Sequence, residues 1–379
     1  MDTLPDDIIK YIMLKTDIKY LNSLCDTCKR FKQFNRNILL ENINTELDIN
    51  NYTLKQLRIL YENIKFGTKR IITEYARTFI VKDNGEVCTM GIIDDKSGSH
   101  PRIIKNIKDV IKVDTNGCCE IYLTKDGKVY ISGSMEDIFN IDELYLLPDI
   151  NNAIDISVGN NYILILLSNG KVMGFGSNDC NQLGIINRDI VLNPILIPIL
   201  ENIVNIQASG HTSYFLSKEG TVYRSCSMAG LLKFIDLDNV KRMFPAQNSD
   251  IIVSKINNGK LDLQMFWIRK NITIEHSKME INFNMIDVSA FENSILYLDN
   301  NGDVYVTYDG MGRVFSNYAT VKQIKIKGLK NIISIYGNDD GWFFVDINKN
   351  LYVMGLNYQN ELGLEYPNEI TEPIISMKL

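Results

Sequence analysis

Tryptophan and histidine are nearly missing from this chain: it has two Trp and three His in 379 residues, alongside eight Pro. Trp267 and Trp342 are too few to form a tryptophan cluster. His100, His211 and His276 leave little material for imidazole chemistry. No apolar run approaches the ~18–20 residues of a membrane span. The first residues, Met1-Asp2-Thr3-Leu4-Pro5-Asp6-Asp7, lack the positive and apolar segments of a secretory leader, which points to cytosol or nucleus. There is no basic tail, and the net charge of −6 argues against phosphate-backbone binding as the main activity.

What is abundant is Ile, Asn, Lys and Tyr, the bias of an A+T-rich genome; if that source is viral, the compartments are those of a host cell. Hydrophobic residues at 45% and charged residues at 23% give the balance of a soluble globular protein. A chain of 379 residues exceeds one ordinary core unless that core is built from repeats.

Repeats are present. An apolar strand, a short polar turn and a second strand recur seven times from about residue 70 onward. The turns are anchored at Gly85, Gly127, Gly170, Gly220, Gly259, Gly302 and Asn350, with spacings of 42, 43, 50, 39, 43 and 48 residues. Tight hairpins need a residue with positive φ, which Gly supplies freely and Asn tolerates. Two further strands flank each hairpin. One precedes it (Ile154–Val158, Ile203–Ile206), and one is expected to begin at a proline, as at Pro101 and Pro194. Four strands in ~40–50 residues is the unit of a β-propeller. The expected fold is mainly β, a seven-bladed β-propeller over 70–379. The tail Thr371-Glu372-Pro373-Ile374-Ile375 is expected to pair into the blade begun near Ile71 and fasten the ring; the alternative is that it completes its own last blade.

The N-terminal part has helical periodicity instead. Pro5, Asp6 and Asp7 suit a helix start, and Ile8, Ile9, Ile12 and Met13 make an apolar stripe. Asp17 can cap a second helix carrying Leu21, Leu24, Cys28 and Phe31. A capping box at Thr53 and Gln56 opens a further helix through Leu57, Leu60, Tyr61 and Ile64. The expected division is a helical module over 1–45, a helical linker over 46–69, and the propeller.

Two resemblances follow. The third copy runs from Gly159 and Tyr162 through Gly170, Phe175-Gly176 and Asn178 to Gln182-Leu183-Gly184. It resembles the regulator of chromosome condensation repeat, with Tyr162 where that family commonly has His. The seventh copy repeats the ending as Asn357…Glu361-Leu362-Gly363. The resemblance implies repeat-structural roles for Gly85, Gly127, Gly159, Gly170, Gly176, Gly184, Gly220, Gly259, Gly302, Asn350 and Gly363. It also makes His211 a structural residue bonded within its own blade. The stretch from Leu4-Pro5 to Cys28-Lys29-Arg30-Phe31 resembles an F-box, making the helical module an all-α F-box-like domain. That implies a Skp-type linker protein as partner, bound through Leu4, Pro5, Ile8, Ile9, Ile12, Leu21 and Leu24, and through it a cullin ligase core.

The function so implied is a non-catalytic substrate-recruiting subunit of a Skp–cullin–F-box ubiquitin ligase, with the propeller holding a protein target. The alternatives are a guanine-nucleotide exchange factor for a Ran-like small GTPase, as the best-known member of the propeller family is, or a general interaction scaffold. A plain reading of the N-terminal stripe also stands, in which it caps the propeller. No catalytic residue, cofactor or metal is expected. Cys25-x-x-Cys28 has no second pair to complete four zinc ligands, and no Gly pair precedes a phosphate-loop Lys-Ser/Thr. Lys322, Lys325, Lys327 and Lys330 are expected on a strand, shielding its surface.

Overall fold

The computed structural model describes residues 36, 39, 40, 43 and 49–66, and most of 70–379. Within the latter, 75–76, 94–95, 137, 187–188, 199, 227–229, 234–238, 246–250, 258–259, 270–272, 279–280, 282, 292–293, 309–322, 338–340 and 366–367 lie outside the description. Each hairpin is the centre of a four-stranded antiparallel sheet formed by one contiguous stretch of chain. The seven sheets span 71–103, 110–146, 153–196, 203–233, 240–278, 285–325 and 332–378, and are called sheets 1 to 7 below. The first strand of every sheet packs beside the first strand of the next. The first strand of sheet 7 (Ile332–Gly337) packs beside that of sheet 1 (Ile71–Glu74), so the sheets close into a ring, a β-propeller.

Burial falls outward along each sheet for a steric reason. A second strand lies between two neighbouring sheets and is covered on both faces, as a continuous apolar run requires. Cys119–Thr124, Tyr162–Leu167 and Thr212–Ser217 are buried at every position. Outer strands such as Phe139–Leu146 have no buried position.

Pro101 and Pro194 lie inside outer strands, Lys96–Ile103 and Ile190–Leu196, instead of starting them. Both strands shift register against their partners, at Thr89/Gly91 and Gly174/Gly176. An outer edge asks for no ladder donor on its free side, and a bulge absorbs the proline.

The tail does not fasten the ring by strand exchange. Glu369–Lys378 pairs with Asn350–Leu356 and completes sheet 7, the alternative outcome. Sheet 1 already has its fourth strand in Lys96–Ile103, so no gap is left for it.

The last hairpin also differs from expectation. Lys349 (φ 66°), not Asn350, holds the position that Gly occupies elsewhere. Its N–H donates to Asp346 O (2.9 Å), as Gly302 N–H does to Asp299 O (3.1 Å). Asp346 fixes this turn through its side chain, the carboxylate accepting from Asn348 N, Asn350 N and Asn350 Nδ2 (2.8–2.9 Å), as the Asp299 carboxylate also accepts from two backbone amides in the Gly302 hairpin. The Gly259 turn lies outside the described residues.

Helix α1 (Leu54–Phe66) begins at the expected capping box, with Thr53 N donating to Gln56 Oε1 (2.7 Å) and Gln56 N to Thr53 Oγ1 (3.3 Å). It buries Leu57, Ile59 and Leu60 among Ile286, Leu298, Ile326, Leu329 and Ile332 of sheets 6 and 7. Ile64, expected on that face, is 40% exposed, and Ile59 takes its place in the core. Among the described residues, no helix is long and apolar enough to cross a membrane. Lys325 lies on a two-residue strand and pairs with Asp303; Lys327 and Lys330 follow it off the strand.

Candidate protein-interaction site

The hairpin residues are the stitches between sheets. Each carbonyl accepts from the first amide of the next sheet: Gly85 O from Val110 N, Gly127 O from Ala153 N, Gly170 O from Ile203 N, Gly220 O from Val240 N and Gly302 O from Ile332 N (2.9–3.2 Å). A Cβ on Gly302 would lie 2.8 Å from the Asn331 Cα, so backbone approach as well as φ demands glycine there. At the seam between sheets 7 and 1, the Lys349 carbonyl accepts from Leu379 N of its own sheet (2.9 Å). There Met90 of sheet 1 seats its sulfur beside Gly363 of sheet 7 instead.

The chromosome-condensation-regulator motif proves to be a loop lock. Asn178 is 1% exposed; its Nδ2 donates to Ile185 O (2.6 Å) and its Oδ1 accepts from Leu183 N (2.8 Å). Gln182 accepts from Cys180 N (2.9 Å) and donates to Ser177 Oγ and Asp179 Oδ1 (both 3.2 Å). Sheet 4 then clamps the loop: Ser213 Oγ donates to Gln182 O (2.6 Å) and Ser225 Oγ to Asn181 O (2.5 Å). Asn357 repeats the lock in sheet 7, accepting from Leu362 N (3.0 Å) and donating to Leu364 O (2.8 Å).

Tyr162, in the position of the family's His, crosses the same seam. Its buried hydroxyl donates to Thr212 O (2.6 Å) and lies 3.1 Å from Ser213 Oγ. Gly159 leaves room for that ring, since a Cβ there would stand 2.0 Å from Tyr162 Cε1. Among the described residues His211 has no hydrogen bond within its own blade, where one was expected. It precedes the strand Thr212–Ser217, lies exposed, and stands 3.4 Å through Nε2 from Asn160 Nδ2 of sheet 3. The strand entry falls one residue after it, so the imidazole faces the neighbouring sheet.

The inner strands enclose a channel of about 320 Å³ whose wall includes Lys112, Asp114, Asn205, Arg242, Asp287 and Tyr336. Charges pair across sheet boundaries: Lys112 with Asp155, Arg77 with Glu120, and Arg242 with Asp287 (2.5 Å). Lys112 also donates to Ile156 O, and Asp114 Oδ2 accepts from Val158 N (3.0 Å). Such pairs add little net energy when desolvated, but a misaligned neighbour would leave each charge uncompensated, so they hold the sheets in register.

Helix α1 meets this wall from the hairpin side. Asn63 Nδ2 donates to Asp287 Oδ2 (2.9 Å) and to Ile333 O (2.7 Å). Gln56 donates to Asn301 in the sheet 6 hairpin (3.0 Å), and Glu62 lies 3.9 Å from Lys349 in the sheet 7 hairpin. The hairpin face therefore carries the helix. The opposite face, where first and third strands end, carries the long loop of 178–189.

Sequence reading missed the channel pairs because no local motif marks them. The signal that could have found them is the blade period applied to charge: the three partners lie 43, 43 and 45 residues apart. The residues assigned to a Skp partner (Leu4, Pro5, Ile8, Ile9, Ile12, Leu21 and Leu24) lie outside the described residues.

Comparison with known proteins agrees with both resemblances. Residues 1–37 match the model of the F-box domain, and residues 153–182 match that of the regulator of chromosome condensation (RCC1) repeat. No curated protein sequence matches the chain. Among solved structures it is similar to Prp20p from Saccharomyces cerevisiae, in a study of its binding to Gsp1p and histones. The TM-score is 0.61 at 15% identity, over 76% of this chain and 83% of that one. The same yeast protein bound to Kap60 aligns with a TM-score of 0.60 at 16% identity, over 74% and 78%. These likenesses establish the fold. An F-box match joined to a propeller of this type marks a protein-interaction adaptor.

Proposed function

We propose that this chain is a non-catalytic, substrate-recruiting subunit of a Skp–cullin–F-box ubiquitin ligase, acting in the cytoplasm or nucleus. The observation that carries the reading is the F-box match over residues 1–37, upstream of a helix fixed to one face of a propeller. Leu4, Pro5, Ile8, Ile9, Ile12, Leu21 and Leu24 supply the apolar face for the Skp-type linker. With the helix on the hairpin face, the target protein docks on the opposite, loop-bearing face. The contribution to ubiquitin transfer is proximity: a target held beside the charged enzyme reacts at a raised effective concentration. The test is capture of a Skp subunit by the full chain and by Leu4→Asp/Ile8→Asp. Wild type binds and the double variant does not; equal binding by both, or by neither, refutes the reading.

The likeness to yeast RCC1 supports a rival reading, nucleotide exchange on a Ran-like GTPase. Accelerated nucleotide release from a panel of small GTPases would establish it. The recruiter reading expects no acceleration.

A further inference from the structure

Two loops from different sheets bring three unlike metal donors together on the loop face. Asp179 and Cys180 belong to the locked loop of sheet 3, and His211 to the turn entering the second strand of sheet 4. Their carboxylate oxygen, thiol sulfur and imidazole nitrogen all lie within 4.8 Å of one another.

Both loops are tied to one frame. Asn160 N donates to Gly210 O (3.0 Å), immediately before His211, and Asn160 Nδ2 lies beside the His211 ring. Gln182 holds the Cys180 amide, and Ser225 and Ser213 tie 181 and 182 to sheet 4. Asp179 Oδ1 accepts from Ser177 Oγ (2.8 Å) and from Gln182 Nε2 (3.2 Å), the outer-shell support that orients a ligating carboxylate. The same hydrogen bonds, with His211 contributing weakly, hold the Asp179 carboxyl below its usual range, so it is ionised at neutral pH. Asp179 and His211 are exposed and Cys180 is half-buried, so an ion can enter from solvent.

We propose that Asp179, Cys180 and His211 form a zinc-class divalent metal site that bridges sheets 3 and 4. A mixed sulfur, nitrogen and oxygen set suits a borderline-soft ion and disfavours Mg²⁺ or Ca²⁺. Three protein ligands leave the fourth tetrahedral position to water. Binding releases the thiol proton, so affinity rises with pH. The expectation of no metal rested on the unpaired Cys25-x-x-Cys28, on adjacent Cys118 and Cys119 and on the scarcity of histidine; the donors here lie in loops that only the fold joins.

The experiment titrates the full-length chain with Co²⁺, in a background where Cys25, Cys28 and Cys118 are replaced by Ser. The expected result is one equivalent bound, with visible bands of tetrahedral Co²⁺ and a near-ultraviolet thiolate charge-transfer band, both removed by competing Zn²⁺. Cys180→Ser removes the charge-transfer band, and His211→Ala weakens binding about tenfold or more. Circular dichroism of each variant confirms that the fold is retained. Absence of Co²⁺ binding, or a charge-transfer band that survives Cys180→Ser, overturns the site. Zn²⁺ should also raise the thermal midpoint of the parent and leave that of His211→Ala unchanged.

Discussion

Two glycines separate what φ demands from what packing demands. Gly210 has φ 54° and no atom within 4 Å of the place a Cβ would take, so Gly210→Ala carries only the left-handed penalty of about 1–2 kcal/mol. Gly302 has φ 79° and the Asn331 Cα at 2.8 Å, so Gly302→Ala must also push sheet 7 away, at about 3 kcal/mol or more. Urea unfolding checks this: both variants lower the midpoint with unchanged slope, and equal losses would show that the stitch contributes nothing. Asp126 offers a pH readout in the exposed sheet 2 hairpin. Hydrogen bonds from Lys128 and then Thr124 hold its carboxyl down to about 2. A carboxylate depressed in the fold stabilises above its unfolded pKa, and that contribution disappears as pH falls through the ordinary carboxylate range toward 2. Lys128→Ala should move the Asp126 titration, followed by NMR, back up toward the ordinary value.

At the scale of elements, helix α1 is the piece whose contribution can be measured. Thr53→Ala removes the cap and should cost about 1 kcal/mol. Asn63→Ala withdraws a donor from buried Asp287 and from Ile333 O and should cost about 1–3 kcal/mol. Ile64→Ala, at a site 40% exposed, should stay within about 0.5 kcal/mol, so chemical denaturation of the three variants ranks them. The helix start was legible because a capping box is local, whereas the buried face was assigned one position off because it continues from Ile59 to polar Asn63, while the apolar spacing from Leu57 and Leu60 leads to Ile64. The hairpins were legible for the same reason, since positive φ selects Gly within four residues. Lys349 escaped because its neighbour Asn350 is the residue type that tolerates positive φ, whereas the structure puts the positive φ on Lys349. The outer strands were misplaced at Pro101 and Pro194 because proline is tolerated at an edge bulge as readily as at a strand start. The channel pairs and the His211 cluster depend on contacts one blade apart, and single-stretch reading does not reach that distance.

The whole molecule poses one mechanical question: what holds the seam between sheets 7 and 1 when no strand is exchanged across it. The core there runs through both sheets, joining Ile71, Ile80, Cys88 and Met90 to Ile333, Tyr336, Phe343, Leu351, Leu362 and Ile370. Closure therefore rests on side-chain packing between the two sheets, to which the tail strand contributes Ile370. Replacing the exposed Ile374 and Ile375 by Pro breaks the tail's ladder while leaving Ile370 in the chain, and so separates this arrangement from closure by strand exchange. If the tail were shared between sheets, its loss would expose amides of both. Because it pairs with Asn350–Leu356 alone, hydrogen exchange should quicken in that strand while Arg77–Val81 of sheet 1 keeps its protection. Met90→Ala should do the reverse. It deletes a fully buried side chain at the seam, costs about 2–5 kcal/mol, and speeds exchange in both sheets at once. Protection lost from sheet 1 on the proline replacements would mean that the ring is closed by its edge, against the pairing described here.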